Sequence, residues 1–194
     1  MPTNDRHLGS GHGPIYAGLT TFVDTTDNVH VVVETPRLSG SKFKFDEKLQ
    51  VFVLKTALPK GLVFPYDFGF LPRTRGEDGD PLDVLVLADE PTFAGCVVAA
   101  RVLGVIRAVQ HEDGKPRVRN DRFLVVPLDG VAGPRPEALG NVDPLILDQV
   151  ESFFVAFGKT QGKTVVIEGR SDADEAVRSI RAGVQRFVDD AAQN

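Results

Sequence analysis

The sequence predicts an α+β chain, mainly β, built as a small antiparallel barrel with two flanking helices. Apolar, β-branched runs recur at short intervals between Val29 and Pro127, which marks many closely spaced strands. Turn formers such as Ser39-Gly40-Ser41 and Asp113-Gly114 separate these runs. From Asp143 the apolar residues change to helical spacing, and strands followed by late helices suit a barrel with helices packed beside it. At 194 residues the chain has the length of one domain with a real core.

Residues 1–27 are rich in Gly, His, Thr and Asp and lack sustained periodicity, so they are expected to form an N-terminal extension to a domain spanning 28–194. His7 and His12 in it read as exposed tail histidines. Val29 to Glu34 is a β-branched strand ending at Thr35-Pro36. Glu34 breaks its apolar series, and a charge at a strand end usually faces solvent. In Lys42-Phe43-Lys44-Phe45, period two places both lysines on one face and both rings on the other. Leu49 to Lys55 reads as its hairpin partner. Phe64 to Phe70 is dense in aromatics but broken by Pro65 and Gly69, so it reads as a packed loop.

Val84 to Leu87 is a buried strand, and Cys96 to Val109 reads as a long or bent one with Gly104 as its expected bulge. Asp113-Gly114 predicts a hairpin into the strand starting at Phe123. Asp143-Pro144 opens a helix carrying Leu147, Val150, Phe153, Phe154 and Phe157. A short strand, Thr164 to Gly169, precedes a final amphipathic helix with a capping pattern at Ser171 and Asp174. Gly162-Lys163-Thr164 is not a phosphate-binding P-loop, since Phe157 stands where its first Gly belongs and a strand follows.

The chemistry concentrates in Asp78-Gly79-Asp80-Pro81-Leu82-Asp83, which runs directly into a buried strand. Gly79 permits unusual backbone angles and Pro81 biases Asp80 toward an extended form, so three acids converge in a stiff loop. Carboxylates held together repel one another and call for positive charge; an oxygen-only set suits Mg²⁺ before Zn²⁺. The competing reading is an ordinary solvated turn, because Asp, Gly and Pro are also turn residues. An EF-hand is excluded by Leu82 at the fifth position.

Net charge is −5, which leaves no general excess of positive charge for nucleic acid. The single Cys96 rules out an internal disulfide or a thiolate zinc site and fits a reducing cytoplasm; it reads as a buried small apolar residue. No apolar run reaches membrane-spanning length, so a soluble, cytoplasmic protein with no membrane or nucleic-acid partner is expected.

In order, Glu34, Lys42, the Phe64–Phe70 segment, the acidic hexapeptide and the closing Glu168-Gly169 with its helix resemble soluble inorganic pyrophosphatase. The resemblance covers roughly residues 28–190. It implies a barrel of the OB type and Mg²⁺-dependent hydrolysis of pyrophosphate to two phosphates, with several ions per site. Asp78 and Asp83 would hold metal, together with Glu34, Asp121 and Asp113. Asp80 would accept a proton from the nucleophilic water, with Lys42 and Glu34 also catalytic. Lys42, Lys44, Lys55, Arg122, Lys159 and Lys163 would bind substrate. A homo-oligomer is implied as well, with a hexamer as the candidate assembly.

The chain departs from the family pattern at several places. Lys44 stands where an acid is usual, and Phe68 and Phe157 where tyrosines are usual. Gly158 replaces a lysine, with Lys159 one place on, and Lys55 stands nearest the family's arginine. Counting back from Phe123 puts Asn120 at the fourth metal-binding Asp and Asp121 one residue later, and a one-residue shift reverses a strand side chain. Glu112 and Asp113 are alternatives for the hairpin acid. Two other functions remain open at this point: hydrolysis of another small phosphoanhydride, and a non-catalytic barrel that binds a phosphorylated ligand or a protein.

Overall fold

The computed structural model describes residue 16, residues 18–129 and residues 135–193; His7 and His12 lie outside these. Nine strands are present among the described residues: β1 (Val29–Thr35), β2 (Ser41–Asp46), β3 (Val51–Ala57), β4 (Asp67–Phe70), β5 (Asp83–Val86), β6 (Val97–His111), β7 (Val118–Arg119), β8 (Arg122–Pro127) and β9 (Thr164–Asp172). Helix α1 (Pro144–Thr160) precedes β9, and α2 (Ala173–Gln193) follows it.

The strands make one seven-stranded mixed sheet, ordered β1-β4-β5-β8-β6-β7, with β9 and β1 also paired to β6. The hairpin β2-β3 forms a separate two-stranded sheet. This corrects the expected small antiparallel OB-type barrel. β5 and β8 run parallel, and the 15-residue β6 serves β1, β7, β8 and β9 in turn. The helices do not share one side either.

Alternation along the central strands explains the helix positions. Leu85, Leu124 and Val126 face a core closed by Leu147, Val150, Phe153, Phe154 and Phe157 of α1. Their neighbours Val84, Val86, Phe123 and Val125 face a second core closed by Ala176 and Ile180 of α2. A sheet buried on both faces needs continuous apolar runs, as Val84 to Val86 and Phe123 to Val126 supply. Each such side chain contributes about 1.5–3 kcal/mol when fully buried.

Asp143 starts α1 by accepting the Leu145 amide at 2.9 Å, with Pro144 in the first turn. The start of α2 differs from expectation. β9 runs on to Asp172, whose carboxylate accepts the Glu175 amide at 3.0 Å, so Asp172 rather than Ser171 caps the helix. β4 is a strand where an irregular loop was expected. Gly69 lies so close to β1 that an added Cβ would sit 2.1 Å from the Val32 carbonyl oxygen. Buried Asp67 at the strand's start accepts the amides of Arg37 and Thr92 and the Thr92 hydroxyl, at 2.7, 2.9 and 2.6 Å. The register of β6 against β8 shifts between Val102 and Gly104, as the bulge reading required. Cys96 is partly rather than fully buried and packs at the margin of the α2-side core.

Candidate active site

Strand β1, the β2-β3 hairpin, the acidic loop, β8 and the C-terminal turn of α1 converge on one cavity of about 620 Å³. It collects Glu34, Lys42, Lys44, Lys55, Asp78, Asp80, Asp83, Arg122 and Lys163 from five separated stretches of chain.

Glu34 reaches it through a register shift: Val33 pairs with Gly69 and Thr35 with Phe68, leaving Glu34 as the extra residue. A bulge re-aims a side chain, so the glutamate turns inward and is 6% exposed, against the solvent-facing expectation. Its carboxylate accepts the Phe45 amide at 2.7 Å. Burial, reinforced by the Asp83 charge and only partly offset by that hydrogen bond, pushes its pKa up to about 7.

The acidic loop is braced from both sides. Gly79 adopts a positive φ of 83°, and the Gly76 amide donates to the Asp80 carbonyl at 2.7 Å. Asp78 accepts the Asp80 amide at 3.2 Å. On α2, the Gly183 carbonyl accepts the Arg75 amide at 2.9 Å, and Arg186 donates to the Arg75 carbonyl at 2.8 Å. Burial and the neighbouring Asp83 raise the Asp78 pKa. Crowded carboxylates with raised pKa values are the electrostatic condition that a divalent cation relieves.

The cations lie opposite. Lys42 sits over the rings of Phe68 and Phe157, 5.1 and 5.5 Å from their centroids. Burial lowers its pKa, opposed by Asp83 and Glu34. Arg122 pairs with Asp83 at 3.0 Å and lies 4.7 Å over Phe154. Lys44 Nζ is 2.8 Å from Asp80 Oδ1; burial depresses its pKa, but the bond to Asp80 and the surrounding acids outweigh this and raise it.

Three expected site residues lie elsewhere. Asp121 is turned away from this cavity, with Arg107 at 2.7 Å, Arg119 at 3.2 Å and the Ala108 amide at 3.0 Å, while Asn120 lines the cavity. No bulge in the β5-β8 register restores it, since Val84 to Val86 pair in step with Phe123 to Val125. Asp113 sits exposed in the hairpin turn, and Glu112 instead reaches Lys163 at 3.6 Å. Lys159 is exposed on the outer face of α1 beside Asp148 and Glu151; Gly158 and Gln161 line the cavity in its place. The sequence singled out neither Arg75 nor Gln110 as a lining residue; for Arg75 the signal was its position just before the acids, whereas Asn120 stands where counting back from Phe123 put it.

Among the described residues no three His, Cys, Asp or Glu side chains are already gathered as a metal cage. The donor set nevertheless fits a hard cation: oxygen ligands only, on a rigid loop, with two carboxylates of raised pKa.

Residues 31–188 match the Pyrophosphatase family, described as inorganic pyrophosphatase. The chain belongs to the inorganic pyrophosphatase family. An inorganic pyrophosphatase of Nostoc sp. is 33% identical over 159 residues, covering 82% of this chain and 91% of that protein. The crystal structure of the inorganic pyrophosphatase from Thermus thermophilus superposes with a TM-score of 0.78 at 31% identity, covering 87% of this chain and 96% of the other. That from Neisseria gonorrhoeae gives 0.78 at 30% identity, with the same coverages of 87% and 96%. In the cavity of this family member two aromatic rings, Phe68 and Phe157, back the buried Lys42.

Proposed function

We propose that this protein hydrolyses inorganic pyrophosphate to two phosphates in a Mg²⁺-dependent reaction. The carrying observation is one cavity with Asp78, Asp80, Asp83 and Glu34 set against Lys42, Lys44, Lys55, Arg122 and Lys163. Pyrophosphate is densely anionic, so its hydrolysis relies on positioning and charge stabilisation rather than a covalent nucleophile. Asp78, Asp83 and Glu34 are the residues proposed to hold Mg²⁺, with more than one ion in the cavity. When bound, Mg²⁺ supplies Lewis-acid charge neutralisation and makes water a better nucleophile.

The chain's own residues do the rest. Lys42 and Arg122, held rigidly over aromatic rings, bind and orient phosphoryl oxygens, with Lys55 and Lys163 at the cavity margin. Asp80 Oδ1 is engaged by Lys44, so Oδ2 is assigned to accept the proton of the attacking water. Asp121, Asp113 and Lys159 drop out of the site. The catalytic unit is taken as 28–194, with 1–27 as an extension. A homo-oligomer and a cytoplasmic location complete the reading, and no described helix is long and apolar enough to cross a membrane.

Phosphate release from pyrophosphate, tripolyphosphate and a nucleoside triphosphate, each with and without Mg²⁺, tests the reading. Mg²⁺-dependent release from pyrophosphate is expected to exceed the others. Absence of release at millimolar Mg²⁺ would overturn it in favour of a phosphate-binding role.

A further inference from the structure

Lys44 is the residue in this cavity whose chemistry the reaction alone leaves unexplained. Its ammonium does not reach into open space for a phosphoryl oxygen; it sits 2.8 Å from Oδ1 of Asp80. The two residues are 36 positions apart in sequence and come from different units, the β2-β3 hairpin and the loop before β5. Lys44 and Asp80 side chains are 37% and 58% exposed, and a pair so open to water adds little to stability. Its consequence is where it puts charge.

Charge in the cavity is already close to balanced without any ion. The lining carries seven Lys or Arg side chains against six Asp or Glu. Two of the three loop acids have protein cations in contact, Asp80 with Lys44 and Asp83 with Arg122 at 3.0 Å. Asn120, uncharged, lines the wall that the following residue, Asp121, turns away from. No three acids gather into a cage among the described residues.

Building on the metal-dependent reading above, we infer that Lys44 is a built-in counter-cation for Asp80, occupying the charge-balancing place that a divalent ion would otherwise take, so that the substrate-free site binds fewer ions and binds them more weakly than its acids alone would. The ammonium holds Oδ1 of Asp80 in place without making the residue a metal ligand, which leaves its second oxygen for the proton of water. Lys44 is thus a positioning residue for Asp80, and the departure from an acid at this place carries a definite consequence for metal stoichiometry.

Metal binding to the substrate-free full-length chain tests this directly, using Mn²⁺ as a spin probe and Mg²⁺ calorimetry. Lys44→Gln removes one positive charge within the acid cluster, and affinity for Mn²⁺ is expected to rise about tenfold. Lys44→Glu is expected to add one bound ion per chain. Lys44→Arg keeps the ion pair and should titrate as the parent does. If Lys44 serves only to grip substrate, Lys44→Gln leaves the metal titration unchanged and raises only the KM for pyrophosphate; that result overturns the inference while the functional reading stands. Absence of Mn²⁺ binding by both the parent and Lys44→Gln overturns both. Thermal melts of the three variants, expected within a few degrees of the parent, establish that the comparison is between folded proteins.

Discussion

Asp80 and Asp83 are separated by two residues, yet their surroundings assign them different work. Asp83 contacts Arg122 at the mouth of β5, whereas Asp80 contacts Lys44 across the cavity. Asp83→Asn should therefore lower apparent Mg²⁺ affinity and turnover together. Asp80→Asn removes one negative charge beside Lys44, so it should lower Mg²⁺ affinity about tenfold, but it should reduce turnover at saturating Mg²⁺ by about 10²–10⁴, the usual worth of a well-placed general base. Steady-state kinetics across a Mg²⁺ series separate the two, and an Asp80→Asn turnover that recovers fully at saturating Mg²⁺ would contradict the assignment. Glu34 supports a prediction about stability. Its folded-state pKa is raised from 4.5 to about 7 by burial, so folding favours the protonated form. Stability is then greatest below the unfolded value and falls as pH rises through about 7. In chelator, the parent should lose about 3 kcal/mol over that window relative to Glu34→Gln. Urea midpoints at several pH values read the difference, and parallel curves for the two proteins would refute it.

Strand β4 is the element where backbone contact outweighs side-chain pattern. Gly69 faces Val33 in register, and a Cβ there would meet the Val32 carbonyl oxygen at 2.1 Å and the Val33 Cα at 2.9 Å. Both are backbone atoms, so relief requires moving β1, which carries Glu34. Gly69→Ala should cost about 1–3 kcal/mol of stability. Gly40→Ala, where nothing lies within 4 Å, should be close to neutral. Denaturant midpoints for the pair decide it, and equal midpoints would remove the close approach as the reason for this glycine. The four-residue length of β4, with Gly inside and Pro65 just before it, also explains why its sequence looks like a loop. Its strand character comes from partners on both sides, β1 and β5, which local propensity does not contain.

For the molecule as a whole, each helix closes one face of the sheet, α1 over the aromatic core and α2 over the valine-rich one. The two helices also finish the site in different ways. α1 brings Phe154 and Phe157 beneath Arg122 and Lys42, and α2 braces the acidic loop through Gly183 and Arg186. The chain should form a homo-oligomer in solution. Light scattering behind a sizing column is expected to give a mass that is a multiple of 21.0 kDa; a monomer at every concentration would contradict this.

Much of this protein could be read directly from residue order. The acidic hexapeptide, the apolar runs of β1, β5, β6 and β8, the Asp143-Pro144 helix start and the aromatic face of α1 are local signals, since composition and periodicity act over a few residues. The direction a particular side chain faces is not local. Glu34 turns inward because β1 takes an extra residue opposite β4, and Asn120 rather than Asp121 lines the cavity because β8 keeps its register with β5. With a side-chain period of two, a single such shift exchanges the faces. The sheet's parallel pairing and the Lys44–Asp80 contact arise the same way, from strands and loops distant in sequence that meet only once the chain has closed around its two cores.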